Sequence, residues 1–329
     1  MSLRRALVAL TTVLTTTVAI LAAAVPAAAQ AFPNGRTIKI VVPFAAGGGV
    51  DTLARMLAER MQAKLGTNVI VENRAGANGT IGGQSVQQST PDGTTVLFSS
   101  NTHSMAKQVM LKPPYDPLTD FVSIARVGEA PLLTVMSTKM PQKTLGEVAA
   151  AAKANPDQWT AGTPALGSPG HIATIEFMRL TGTKLTVTPY RGTAPALTDV
   201  AGGHIQLLTD AMVVLLPMAR DGKVKGMAIT SSKRSSLAPD IPTAAESGVP
   251  GLEVISWYGV WGPPGIPADV VTTLNRAFAD ATRELAESGR LKELGVDPVY
   301  ETPEGFAKFM AADVARNAEL LKSVGFEPQ

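Results

Sequence analysis

Two stretches of the chain carry residue types whose spacing could do chemistry. The first is Pro43-Phe44-Ala45-Ala46-Gly47-Gly48-Gly49-Val50-Asp51-Thr52, which follows a β-rich run at residues 37–42 and opens a helical pattern at 52–65. The second is Thr163-Pro164-Ala165-Leu166-Gly167-Ser168-Pro169-Gly170-His171, between a strand-like run at 159–162 and a helical one at 172–180. A strand, a glycine-rich turn and a helix start present main-chain N–H groups that no intrahelical acceptor uses. With the helix dipole behind them, such groups receive anions. Glycine lets a ligand approach the backbone closely, and Ser168 adds a hydroxyl. Two such termini facing one cleft would grip a carboxylate without any arginine. Each loop alone is equally an ordinary strand-to-helix turn, with Ser168 as a cap. Their matched placement, one in each half of the chain, points to binding.

Other chemistries fit less well. A phosphate-binding P-loop needs a lysine after its glycines, and none follows Gly49. The dinucleotide fingerprint fails at its third glycine, although Glu72 stands where its acid would be. His103, His171 and His204 are the three histidines, and their spacing matches no zinc motif. Ser168 and His171 could form a hydrolase pair, but no Gly-x-Ser-x-Gly elbow surrounds the serine. Neither a metal nor a cofactor is expected. Asp51 lies in the first helical turn, where it complements the dipole; facing a cleft, it would bind an ammonium group instead. Trp257, Tyr258 and Trp261 either pack a core or domain junction or line the cleft.

These loops must be held by a larger frame. The chain has 329 residues, 45% hydrophobic and 17% charged, enough for two domains with substantial cores. From residue 37 to 99 the order strand–helix–strand–helix–strand predicts a largely parallel sheet covered by helices, with ligands outside the carboxyl ends of the strands. Two β-rich runs at 122–127 and 132–137 follow a proline-rich break. The strand–loop–helix order then restarts, with further strands at 184–189, 203–210 and 225–230. Helices are expected at 268–288 and 303–323. Residues 1–31 read as a signal peptide: Arg4 and Arg5, an uncharged apolar stretch, then Ala-x-Ala sites ending at Ala29 or Ala31. Its removal would leave 27 acidic and 27 basic residues, a balance that argues against a nucleic-acid partner. There is no cysteine, hence no disulfide and no lipid-attachment thiol. The expected location is the periplasm, as a soluble monomer.

Several motifs together resemble one family. They are Pro43-Phe44-Ala45-Ala46-Gly47-Gly48 with Asp51; Val71-Glu72-Asn73-Arg74-x-Gly76-Ala77-x-Gly79; Pro91-Asp92-Gly93-Thr94-Thr95; and Tyr115-Asp116-Pro117-x-x-Asp120-Phe121. Gly167-Ser168-x-Gly170-His171, Tyr190-Arg191-Gly192-x-x-Pro195-Ala196, Gly202-Gly203 and Pro242-Thr243-x-x-Glu246-x-Gly248 extend the match across the chain. The chain thus resembles the tripartite tricarboxylate transporter receptors, the TctC or Bug family. The resemblance implies an α/β protein with a two-lobed, type II periplasmic-binding-protein-like fold, each lobe a mainly parallel sheet under helices. It places lobe 1 at 32–130 plus 255–329 and lobe 2 at 131–254. It implies a carboxylate pincer with bridging waters, formed by Phe44, Ala45, Ala46, Gly47 and Gly48 on one side and Gly167, Ser168 and His171 on the other. Asn101, Thr102, Tyr190, Gly192, Asp210 and Tyr258 would complete the cleft. The implied ligand is a small di- or tricarboxylate, acidic amino acid or aromatic acid. The implied partners are the membrane permease subunits of a tripartite transporter or, alternatively, a membrane sensor kinase. Pro164, Leu166 and Pro169 depart from the usual glycine- and serine-rich pattern, which implies a less polar ligand tail.

Overall fold

The computed structural model describes residues 32–329; the expected signal peptide lies outside the described residues. Strand β1 (Ile38–Val42) alternates its side chains between two cores. Ile38, Ile40 and Val42 join one apolar cluster, and Val41 joins the other. Helix α1 (Gly49–Leu65) follows, ending on Gly66 in the left-handed region. Parallel neighbours β2 (Val69–Asn73) and β3 (Thr95–Ser100) flank β1, with α2 (Thr80–Gln87) between them in sequence.

The strand β4 (Val122–Ser137) joins two sheets. Residues 122–131 pair with β9 (Ile255–Gly262) in the first sheet. Residues 132–137 pair with β7 (Leu207–Ala211) and β8 (Val224–Ile229) in the second. The two β-rich runs expected here are therefore one strand of 16 residues that crosses from lobe to lobe. In the second sheet β5 (Thr160–Thr163) lies parallel to both β6 (Thr186–Pro189) and β7. The expected parallel arrangement holds for β1–β3 and β5–β7. The crossing strands β4 and β9 add antiparallel pairs because each enters a sheet from the other lobe.

Helices α4 (Leu145–Ala154), α5 (Pro169–Thr181), α6 (Thr193–Gly202) and α7 (Met212–Arg220) belong to the second sheet; the short α3 (Ala106–Val109) follows β3. The long α8 (Ala268–Glu287) and the last helix, α10 (Pro303–Ser323), cover opposite faces of the first sheet; the short α9 (Arg290–Leu294) and strand β10 (Asp297–Pro298) connect them.

Thr230 ties the crossing segments together. The Leu132 N–H donates to its hydroxyl oxygen at 2.8 Å, its own N–H donates to Leu132 O at 2.9 Å, and the hydroxyl donates to Val254 O at 2.6 Å. Thr230→Val keeps the shape but strands the buried Leu132 N–H. It should cost about 1–3 kcal/mol in chemical denaturation. An unchanged midpoint would show that the crossing does not depend on this hydroxyl.

Candidate functional site

The strand order brings four helix starts to one place. A cavity of about 30 Å³ is lined by Gly48–Asp51 at the start of α1, Ser168 and Pro169 at α5, Gly192 and Thr193 at α6, and Ala211 just before α7. Phe44, Pro164, Ser100, Thr102, Asp210, Ser256 and Tyr258 complete the wall, which among the described residues contains no lysine, arginine or histidine. Tyr258 and Ser256 face the cavity on one side of β9. Trp257 and Trp261 point the other way, their indole N–H groups donating to Asp313 and the Met310 sulfur.

The helix starts are unequal as anion receivers. In α1 the first intrahelical bond is Thr52 N–H to Gly48 O, 2.9 Å, so the N–H groups of Gly49, Val50 and Asp51 precede the ladder. Gly48 has no capping side chain that would occupy them. In α5, by contrast, Pro169 has no N–H, and the His171 N–H donates to the Ser168 hydroxyl at 3.1 Å. The preceding amides are also used: Leu166 on Asn78 Oδ1 (3.1 Å), Gly167 on His171 Nδ1 (3.0 Å) and Ser168 on Ala165 O (3.2 Å). The second loop is buried throughout. A side chain on Gly170 would collide with the Thr209 carbonyl, so this glycine serves close packing of α5 on β7.

Asp51 is neither a simple complement to the dipole nor a free anion in the cleft. Its carboxylate accepts from Gly47 N–H (2.9 Å), Asn73 Nδ2 (2.9 Å) and Arg55 Nε (3.1 Å), and so shapes the glycine loop. Burial would raise its pKa, but the hydrogen bonds from Arg55, Gly47 and Asn73 hold it below the usual carboxylate value.

Of the residues expected at the site, Phe44, Gly48, Thr102, Ser168, Gly192, Asp210 and Tyr258 line the cavity. Ala46 and Gly47 lie on the exposed rim. Ala45 donates its N–H to Arg191 O at 3.3 Å, directly between the lobes. Asn101 lines a separate groove beside α10, and the Tyr190 hydroxyl donates to Asp199 at 2.7 Å, away from the cavity. Gly167 and His171 sit behind it: Gly167 packs against Met105 and Val109, and His171 stacks edgewise on Phe326. Thr193, Ala211 and Gly49 were not among the expected residues. Thr193 shares the motif Tyr190-Arg191-Gly192, but Ala211 and Val213, which meet Gly49 across the cleft, carry no signal a single sequence could offer.

The hydrolase pairing fails on geometry. The His171 ring spends Nδ1 on the Gly167 N–H, and the Ser168 hydroxyl bonds Thr163 Oγ1 at 2.7 Å. Burial also pushes the His171 pKa down to about 4. His103 is buried beside Tyr115, Phe121 and Trp261, its pKa lowered by burial to about 3. Among the described residues no group of three or more acidic, histidine or cysteine side chains could hold a metal.

The chain matches the model of the tripartite tricarboxylate transporter family receptor, TctC, over residues 53–326. It belongs to this family. The TctC receptors are non-catalytic periplasmic binding proteins, and this receptor shares their α/β fold. It is 36% identical to protein BugT of Bordetella pertussis over 304 residues, 92% of this chain and 93% of the relative. The solved structure of Rpa4515 of R. palustris with adipate superposes with a TM-score of 0.86 at 32% identity, covering 91% of this chain and 100% of that one. MatC of Rhodopseudomonas palustris, with bound malate, gives a TM-score of 0.82 at 33% identity, covering 87% and 99%.

Asp210 is the receptor's titratable group of greatest consequence here. It is buried, and burial raises its pKa; the Thr193 hydroxyl and the Ala211 N–H, which donate to it, offset this only in part. A folded value above the unfolded 3.8 means the folded protein binds this proton more tightly. Its contribution to stability therefore falls as pH rises from 3.8 through the raised value and stays low above it. The unfolding temperature of Asp210→Asn, relative to the parent, should climb between pH 4 and pH 7.5 in scanning calorimetry. A flat or falling difference would contradict the raised pKa.

Proposed function

We propose that this receptor captures a small dicarboxylate in the cavity between its lobes, for delivery to the permease subunits of a tripartite transporter. One carboxylate sits on the free N–H groups at the start of α1. That feature carries the reading: unpaired amides and a helix dipole suit a compact anion, and the Asp51 carboxylate on the wall is already bonded to Arg55, Gly47 and Asn73. The starts of α6 and α7 are the secondary support, with Thr193 and Tyr258 hydroxyls in reach of the rest of the solute. Adipate with Rpa4515 and malate with MatC support the dicarboxylate class. In this reading the receptor is exported by its first 31 residues, with lobe 1 at 32–130 plus 255–329 and lobe 2 at 131–254.

Asp210 must then be protonated beside a second carboxylate, or accept a hydrogen bond from a hydroxyl on the solute. The cavity of about 30 Å³ is far below the roughly 300–1,000 Å³ of ordinary ligand sites. Entry therefore requires the lobes to part, and the motion available is rotation about the crossing at Pro131–Leu132, Thr230 and Ile255.

A thermal-shift screen of mono-, di- and tricarboxylates on ligand-stripped protein tests the reading. At a hundred times its dissociation constant, a bound dicarboxylate contributes about 2.7 kcal/mol of stability. No stabilisation by any carboxylate would sink the proposal. Gly48→Val supplies the site-specific control. A Cβ at Gly48 meets only ordinary contacts, 3.6 Å from Thr193 Oγ1 and 3.8 Å from Ala45 O, so the variant should fold. Its branched methyls would crowd the anion, and overpacking by about 1–3 kcal/mol should raise Kd about ten- to a hundredfold in calorimetric titration. Parental affinity would remove this helix start from the site.

A further inference from the structure

Asn78 stands in a short loop between β2 and α2, and its backbone is unusual. Ala77 and Asn78 have φ of 45° and 54°, consecutive non-glycine residues in the left-handed region. Asparagine is one of the few residues that tolerate this conformation. The loop is braced by Gly79 N–H to Gly76 O (2.9 Å) and by the Thr80 hydroxyl to Ala77 O (2.7 Å). It is also seated on the first glycine loop. A Cβ on Gly82 would lie 2.8 Å from Pro43 Cβ, and one on Gly79 3.3 Å from it. Asn73 Nδ2 adds a hydrogen bond to Phe44 O at 3.1 Å.

From this seat Asn78 reaches the other lobe. Its Oδ1 accepts the Leu166 N–H at 3.1 Å. Among the described residues, and away from the crossing strands, two hydrogen bonds span the lobes: this one and Ala45 N–H to Arg191 O. No ion pair among the described residues does so. Leu166 itself is buried in an apolar cluster with Met105 and Val109 of the first lobe. The next amide in sequence, Gly167, is held by His171. Of the amides of Leu166, Gly167 and Ser168, that of Leu166 is the one given to the facing lobe.

We propose that Asn78 is a closure latch, a positioning residue that fastens the second loop to the first when the lobes meet and so sets how long a solute is retained. The proposal rests on the two-lobed receptor reading but not on the identity of the solute. Because Asn78 does not line the cavity, its removal should alter the closed population and leave the solute contacts in place.

The chain has no cysteine, so Ala46→Cys with Arg191→Cys gives a unique reporter pair on the facing lobes. Cross-linking by a short bis-maleimide, in protein stripped of ligand, proceeds in proportion to the closed population even when that state is minor. Asn78→Gly accepts the left-handed backbone but has no acceptor; it should slow cross-linking about three- to tenfold, the worth of one net hydrogen bond. Asn78→Asp keeps the acceptor and should restore the parental rate. A parental rate in Asn78→Gly, with an unchanged unfolding temperature, overturns the latch. Slowing that Asn78→Asp fails to rescue overturns it too, since the effect would then lie in the loop's shape. Because no ligand is added, a failed carboxylate screen and a failed latch give separate results.

Discussion

A parallel strand followed by a helix delivers unpaired N–H groups to the carboxyl edge of its sheet. The site depends on that constraint more than on any side chain. Here two sheets face each other across their carboxyl edges, joined by β4, so that the starts of α1, α5, α6 and α7 converge on one cavity. In the proposed reading, backbone dipoles do the work that an arginine would do elsewhere, and the anion leaves when the lobes part.

The convergence is asymmetric. The start of α1 leaves its amides open because Gly48 has no cap and Asp51 draws only Gly47 aside. The start of α5 is filled from within by Pro169, Ser168 and His171. In the proposed reading the first loop receives the solute, and the second gives its Leu166 N–H to Asn78 of the first lobe. Asp210 accepts from the Thr193 hydroxyl and the Ala211 N–H at the starts of α6 and α7, so that in the proposed reading the distal end of the solute faces an acid rather than a base.

Much of this was legible in the residues. Gly47-Gly48-Gly49 after a β-rich run and before an apolar helical face marks a strand–turn–helix, and α1, α8 and α10 fall close to the ranges their periodicity gives. What the chain could not disclose alone were partners distant in sequence. Asp51 is understood only with Asn73, 22 residues on, and Leu166 only with Asn78, 88 residues before it. The two halves of β4 looked separate because Gly128 and Pro131 interrupt the β-rich pattern; pairing with different strands on either side makes them one. Ser168 and His171 looked like a chemical pair by spacing, whereas the fold spends both on capping and loop closure.

The central claim is that a solute carboxylate is received by the backbone at the start of α1. A crystal structure of the receptor with the carboxylate selected in the thermal-shift screen tests it most directly. The account predicts carboxylate oxygens about 2.7–3.2 Å from the N–H groups of Gly49 and Val50, directly or through one water, with no basic side chain in contact. A carboxylate held instead by a lysine or arginine, or lodged outside the cavity between the lobes, would contradict it.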